Sequence, residues 1–93
     1  MKNFKPGFDM PEPLSELHFW EIENTGWSGA ISWFACKKNR YDKLRFDSEQ
    51  SAIDHVIETK LRVNDENMLW RVVAVTIAQF ADGEIEVRKW KHV

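Results

Sequence analysis

Hydrophobic and polar positions alternate with period two in short stretches of this chain, run together in one long apolar segment and recur with period 3.6 in another, and that contrast lays out its elements. Leu17 to Glu23 (LHFWEIE) is rich in aromatic and β-branched residues and stops at Asn24-Thr25-Gly26, so it reads as a first strand ending in a turn. A second strand is expected from Trp27 or Ala30 to Lys38, with Gly29 near its start marking a bulge. After a polar turn, Asn39 to Asp42, the segment Lys43-Leu44-Arg45-Phe46 alternates charged and apolar side chains, the pattern of a short third strand with one wet face. Asp47-Ser48-Glu49-Gln50 opens the single helix. Asp47 or Ser48 can accept from the free N–H groups of the first turn, Gln50 stands three residues after Asp47 as in a capping box, and Glu49 suits the positive dipole end. Ile53, Val56, Ile57 and Leu61, with Ala52 at the margin, make the apolar stripe, while Asp54, His55, Glu58 and Arg62 face water. The helix is therefore expected on the sheet, not within it, and Asn64 to Asn67 closes it.

Leu69 to Phe80 (LWRVVAVTIAQF) is long, β-branched and almost continuously apolar, as a central strand should be. Asp82-Gly83 then signals a hairpin, because both positions of a type I′ turn need φ > 0. A turn centred there sets Phe80 opposite Ile85, Ala78 opposite Val87, Ile77 opposite Arg88, Val75 opposite Trp90 and Val73 opposite His92. Trp70, Val72, Ala74, Ala78 and Phe80 then share one face with Ile85, Val87 and Val93, where small alanines admit a helix. Leu69, Val73, Val75, Ile77 and Trp90 share the other with Arg71, Glu86, Arg88 and His92. One helix covers one face, so the second needs cover from the N-terminal arm or from a partner. The arm, residues 1–15, holds all three prolines (Pro6, Pro11, Pro13), shows no period, and carries Phe4, Phe8, Met10 and Leu14 with which to lie across a sheet. The expected fold is α+β: an irregular arm, then one domain over 16–93 with an antiparallel sheet of about five strands and one helix, in the order β-β-β-α-β-β.

Composition adds limits. Ninety-three residues suit one domain, domains running from roughly 50 to 200 residues. A hydrophobic share of 43% with 30% charged residues is that of a globular chain and not a disordered one. The longest apolar runs, Ile31 to Cys36 and Val72 to Ala78, fall far short of the about 20 residues that span a bilayer, and no apolar h-region follows the first lysines. A cytoplasmic protein without membrane contact is the expectation. Cys36, the single cysteine, excludes an intramolecular disulfide and any site needing two thiolates; beside Trp33, Phe34 and Ala35 it reads as a buried, inert thiol.

The net charge of −2 steers neither nucleic acid nor membrane, but the distribution is uneven. Lys37, Lys38, Arg40, Lys43 and Arg45 crowd one turn against Asp42 and Asp47 alone. With Tyr41 for stacking, Lys37, Lys38, Arg40 and Lys43 have the ingredients of a nucleic-acid patch, against the acidic total of the chain. His18, His55 and His92 show no ligand spacing, so neither metal nor cofactor is expected. Glu21 and Glu23 alternate on one strand face, either as paired carboxylates for acid–base work or as edge charges that discourage aggregation. None of the four glycines is spaced as a phosphate loop, and no nucleophile has an evident base, so the chain is expected not to be an enzyme.

Five tryptophans (Trp20, Trp27, Trp33, Trp70, Trp90) are the least ordinary feature. Trp fills thin cores, and it also anchors interfaces. The expected partner surface is Trp20, Arg71, Arg88 and Trp90 on the second sheet face, with Asp54 and Glu58 on the helix. Short, Trp-rich, acidic chains built on this plan resemble the small accessory proteins of bacteriophages and mobile elements, many of which bind and block a host macromolecule. That resemblance, one of size and style, implies a non-enzymatic protein-binding inhibitor, of a host defence complex for example, and assigns no site residues. Nucleic-acid binding through the basic turn and a homodimeric interaction protein are the alternatives.

Overall fold

The computed structural model describes residues 12–26, 32–63 and 66–93. The sheet has four strands in the order β2-β1-β3-β4, all neighbours antiparallel: β1 Ser15–Asn24, β2 Phe34–Ala35, β3 Trp70–Phe80 and β4 Gly83–His92. Helix α1, Glu49–Val63, lies between β2 and β3 in sequence. The α+β class stands, with four strands where about five were expected. The missing strand is 43–46. Lys43 bridges Lys37 and Phe46 bridges Trp20, each as an isolated pair, so this segment is a small hairpin with both feet on the outer edge of β1. Cys36 N donates to the Ile22 carbonyl at 2.9 Å and Phe46 N to the Trp20 carbonyl at 2.8 Å, which pins those feet two residues apart. Trp27, Gly29 and Ala30 of the expected second strand lie outside the described residues, as do Phe4, Phe8 and Met10 of the arm.

β3 is central and its burial runs on both faces, Trp70, Val72, Val73 and Val75 being buried. The continuous apolar run predicted that position because a strand covered on both sides cannot alternate. At the other end of β1, Asn24 Oδ1 accepts from Gly26 N at 2.9 Å and Gly26 adopts φ 74°, so the turn read from Asn24-Thr25-Gly26 forms where the left-handed conformation needs glycine. Thr25 is buried; its Oγ1 accepts from Leu69 N, which ties the turn to the entry of β3.

The hairpin between β3 and β4 forms, but two residues out of the expected register. Phe80 pairs with Gly83, Ala78 with Ile85, Val75 with Arg88 and Val73 with Trp90. Ala81 and Asp82 make the turn, and Gly83, at φ 150°, opens the strand instead of closing the turn. That angle lies outside the range a type I′ turn requires, yet only glycine adopts it without strain. A shift of two preserves every side chain's face, since the strand period is two.

Ser48 caps α1: its Oγ accepts from Ser51 N at 3.1 Å. Gln50 does not reach back as a capping box would; its Nε2 donates to Asp54 Oδ1 instead. The helix packs on the face of Trp20, Ile22, Trp70 and Val72, as expected from the alanines, but with a different stripe. Ala52 and Val56 are buried and Ile53 and Val63 pack beside them, whereas Ile57 and Leu61 are exposed. Ala52 is thus the centre of the contact and not its margin. Small side chains at 52 and 56 bring the helix axis close, and that rotation turns 57 and 61 outward. His55, expected in water, is half-buried with its ring 5.3 Å from that of Phe46. Leu61, 80% exposed, should accept lysine with a change under about 0.5 kcal/mol. A thermal-melt loss well beyond that for Leu61→Lys would mean that the helix packs through the 53–57–61 stripe after all.

Candidate functional site

The face of the sheet opposite α1 carries odd-numbered residues of β1 and β3 and even-numbered residues of β4. Phe19, Val73 and Val75 form a second small core there, with Ile77 packed against it. Above this apolar floor lies an ion-pair network. Arg88 Nη2 donates to Glu21 Oε1 at 2.7 Å and stands 3.5 Å from Glu23 Oε2. Arg71 Nε donates to Glu23 Oε1 at 2.7 Å. Arg45 and Lys43, from the 36–46 hairpin, approach Glu21 at 3.5 and 3.9 Å. Glu21 is only 2% exposed, and a carboxylate so placed needs that many donors.

Aromatic rings complete the layer. The Arg45 guanidinium sits 4.1 Å above the Phe19 ring, and that of Arg71 lies 4.2 Å from Trp33 and 5.0 Å from Trp90. Arg71 therefore lies within cation–π reach of two indoles while bonded to Glu23, an arrangement a planar guanidinium suits better than an ammonium. Part of the second face is thus covered by the chain itself, through Trp33 and Arg45. Glu21 and Glu23 are not edge charges, because β1 lies between β2 and β3; they are ion-pair acceptors in the interior of the sheet.

The expected partner residues divide between two sides. Arg71, Arg88 and Trp90 share this face. Trp20 lies on the other, half-buried against the helix-side core, and Asp54 and Glu58 are exposed on α1, which packs on that other face as well. Neither Arg71 nor Arg88 is free, since both serve Glu21 and Glu23. What remains open is β4: every one of its residues except Arg88 is exposed, including Ile85, Val87 and, at 60%, Trp90. β4 ends the sheet order, and among the described residues no strand lies beyond it. Sequence reading missed this edge because it cannot order strands in a sheet.

Lys37, Lys38, Arg40, Tyr41 and Lys43 stand together at the exposed tip of the 36–46 hairpin, where Asn39 Oδ1 accepts from Tyr41 N and Asp42 N. Beneath them is a cleft of about 650 Å³ lined by Lys38, Lys43 and Arg45, but also by Glu21, Asp42 and Glu86. Three carboxylates and three cations share that lining, so its charge is mixed and not uniformly positive. His18 bonds Thr76 and Glu16 on the helix-side face, and His92 stacks 5.7 Å from Trp33. Among the described residues no three His, Cys, Asp or Glu side chains converge as a metal site, and no helix is long and apolar enough to cross a membrane.

Cys36 is half-buried. Burial pushes its thiol pKa up from the ordinary value, the hydrogen bond from Asn24 Nδ2 opposes this, and the charge of Glu23 adds to the rise. Because the folded state favours the neutral thiol, stability from this group falls as pH rises through the unfolded value of 9.0. Alkylation of Cys36 by iodoacetamide at pH 8 should run about tenfold slower in the folded protein than in urea. Equal rates would show the thiol to be open and ionised.

Comparison of the chain with protein-family models, with curated proteins and with solved structures finds no match.

Proposed function

We propose that this protein is a non-enzymatic protein-binding module whose contact strand is β4. The observation that carries the reading is the exposure of a ten-residue edge strand that presents Ile85, Val87 and Trp90 to solvent beside a row of backbone groups that no strand among the described residues pairs. Such edges pair with other chains unless they are blocked, and Trp at an exposed position is a common interface anchor. The polar chemistry of the opposite face supports the non-enzymatic part. Glu21 and Glu23, the carboxylates best placed for acid–base work, each accept from arginine, and the cleft that Glu21 lines is one of mixed charge. The resemblance in size and style to phage and mobile-element accessory proteins supports a narrower form, an inhibitor that occupies a host macromolecule. Affinity capture from a bacterial lysate, run beside light scattering, tests the reading. A captured protein, or a second copy of the chain, should be retained by the wild type and lost with Val87→Lys. A strict monomer that captures nothing would overturn it.

A further inference from the structure

β4 sorts its charges by position. Glu84 and Glu86 occupy its first half, Arg88, Lys89 and Lys91 its second, and Val87 stands between them. We propose that β4 pairs antiparallel with β4 of a second copy of this chain, about a two-fold axis through Val87, joining two four-stranded sheets into one of eight. This rests on the reading of β4 as the contact strand and names its occupant.

The backbone is arranged for it. Val93 N donates to the Trp70 carbonyl, which makes that pair one of the hydrogen-bonded pairs of the β3–β4 ladder. Such pairs alternate in an antiparallel ladder, so odd-numbered residues of β4 bond to β3, and Glu84, Glu86, Arg88, Trp90 and His92 point their N–H and C=O groups outward. A two-fold perpendicular to the sheet keeps each face on the same side, and so it opposes residues of equal parity. With Val87 on the axis, Glu86 faces the second copy's Arg88, Glu84 faces its Trp90, Ile85 faces its Lys89, and Asp82 faces its His92.

Neighbouring registers fail. An axis through Glu86 sets Glu86 against itself, and one through Arg88 sets Arg88 against itself. An axis through Ile85 opposes Glu84 to Glu86, and one through Lys89 opposes two lysines. Like charges directly opposite destabilise a strand pair, and opposite charges support it. Only the Val87 axis puts acid against base on both sides while bringing an apolar pair to its centre. Arg88 can serve both roles, because its Nη2 is held by Glu21 whereas its Nη1 stands 3.8 Å from Glu86, too far for a hydrogen bond.

Sedimentation of the full chain should show a dimer at ~100 µM that dissociates on dilution. Glu86→Pro removes one outward N–H and leaves the β3 ladder whole, so it should be monomeric at the same concentration with an unchanged circular dichroism spectrum. In a Cys36→Ala background, Val87→Cys should oxidise to a symmetric disulfide, because a non-hydrogen-bonded pair brings the two Cα atoms to about 4.5 Å. Ile85→Cys should not, since the axis leaves its two copies about 13 Å apart along the strands. A wild-type chain that stays monomeric at ~100 µM, or Ile85→Cys cross-linking as fully as Val87→Cys, would overturn the two-fold. A monomer that nevertheless captures a lysate protein, and loses it with Val87→Lys, overturns the two-fold and leaves the protein-binding reading in place.

Discussion

Arg88→Ala is expected to destabilise the folded chain by about 3 kcal/mol, measured as a fall in the urea midpoint at unchanged slope. The reason lies in what stays behind. Glu21 is 2% exposed and takes its shortest bond, 2.7 Å, from Arg88. Without it the carboxylate keeps, among the described residues, Arg45 at 3.5 Å and Lys43 at 3.9 Å, both about half exposed and therefore weak partners. Removing one member of a buried pair costs about 3–5 kcal/mol, and the two residual cations place this case at the lower end. Arg88→Lys should lose about half as much, because the charge remains but one ammonium cannot reproduce both the Nη2 contacts to Glu21 and Glu23 and the Nη1 contact to Glu86. Joint replacement, Arg88→Met with Glu21→Leu, should recover most of the loss, since it leaves neither charge buried. A loss below about 1 kcal/mol for Arg88→Ala would show that water already solvates Glu21. The network does not titrate from the Arg88 side. Burial works against its charge, but the hydrogen bond to Glu21 and the charges of Glu21, Glu23 and Glu86 raise its pKa overall. A raised cationic pKa holds its contribution at every pH below the unfolded value and loses it only above, so no transition at neutral or moderately alkaline pH should trace to this residue.

That network also shows where reading the sequence reached its limit. Strand alternation placed Arg71, Arg88 and Trp90 on one face, and the small alanines of β3 favoured the other for the helix without deciding it. Neither could place Glu21 and Glu23 across β3 from Arg88, since strand order is a long-range property; read alone, two glutamates on one strand face fit paired carboxylates for acid–base work and edge charges alike. The hairpin was legible in Asp82-Gly83, but its register depends on which residue of the pair takes which φ, and Gly83 at 150° moved the turn by two. The helix start was legible in Ser48 and its facing was not. Ile57 and Leu61 fit the 3.6 period as well as Ala52 and Val56 do, and only the closeness of the sheet favours the smaller pair. The free edge of β4 left no local trace beyond its sorted charges.

Trp70 and Trp90 should separate folding from binding. Trp70 is 4% exposed in the helix-side core with Ala52, Val56 and Val72, so Trp70→Ala empties a large volume that rigid strands cannot close. Its expected cost is about 4 kcal/mol. For a domain whose whole stability is of the order of 5–15 kcal/mol, that leaves a substantial unfolded fraction at 37 °C. Trp90 is 60% exposed and its described partner is the Arg71 guanidinium, 5.0 Å away. Trp90→Ala should therefore cost only about 1 kcal/mol of stability, the worth of one cation–π contact. Binding should rank them the other way. In the two-fold arrangement Trp90 lies in the strand pair, and truncating an anchor of that kind weakens an interface by about 2 kcal/mol, close to thirtyfold in dissociation constant. Urea melts and a sedimentation series on Trp70→Phe, Trp70→Ala and Trp90→Ala measure both quantities. If Trp90→Ala unfolds the chain as readily as Trp70→Ala, its indole is part of the core and the face it covers is structural. If it leaves both stability and self-association untouched, β4 makes its contacts through Ile85 and Val87 alone.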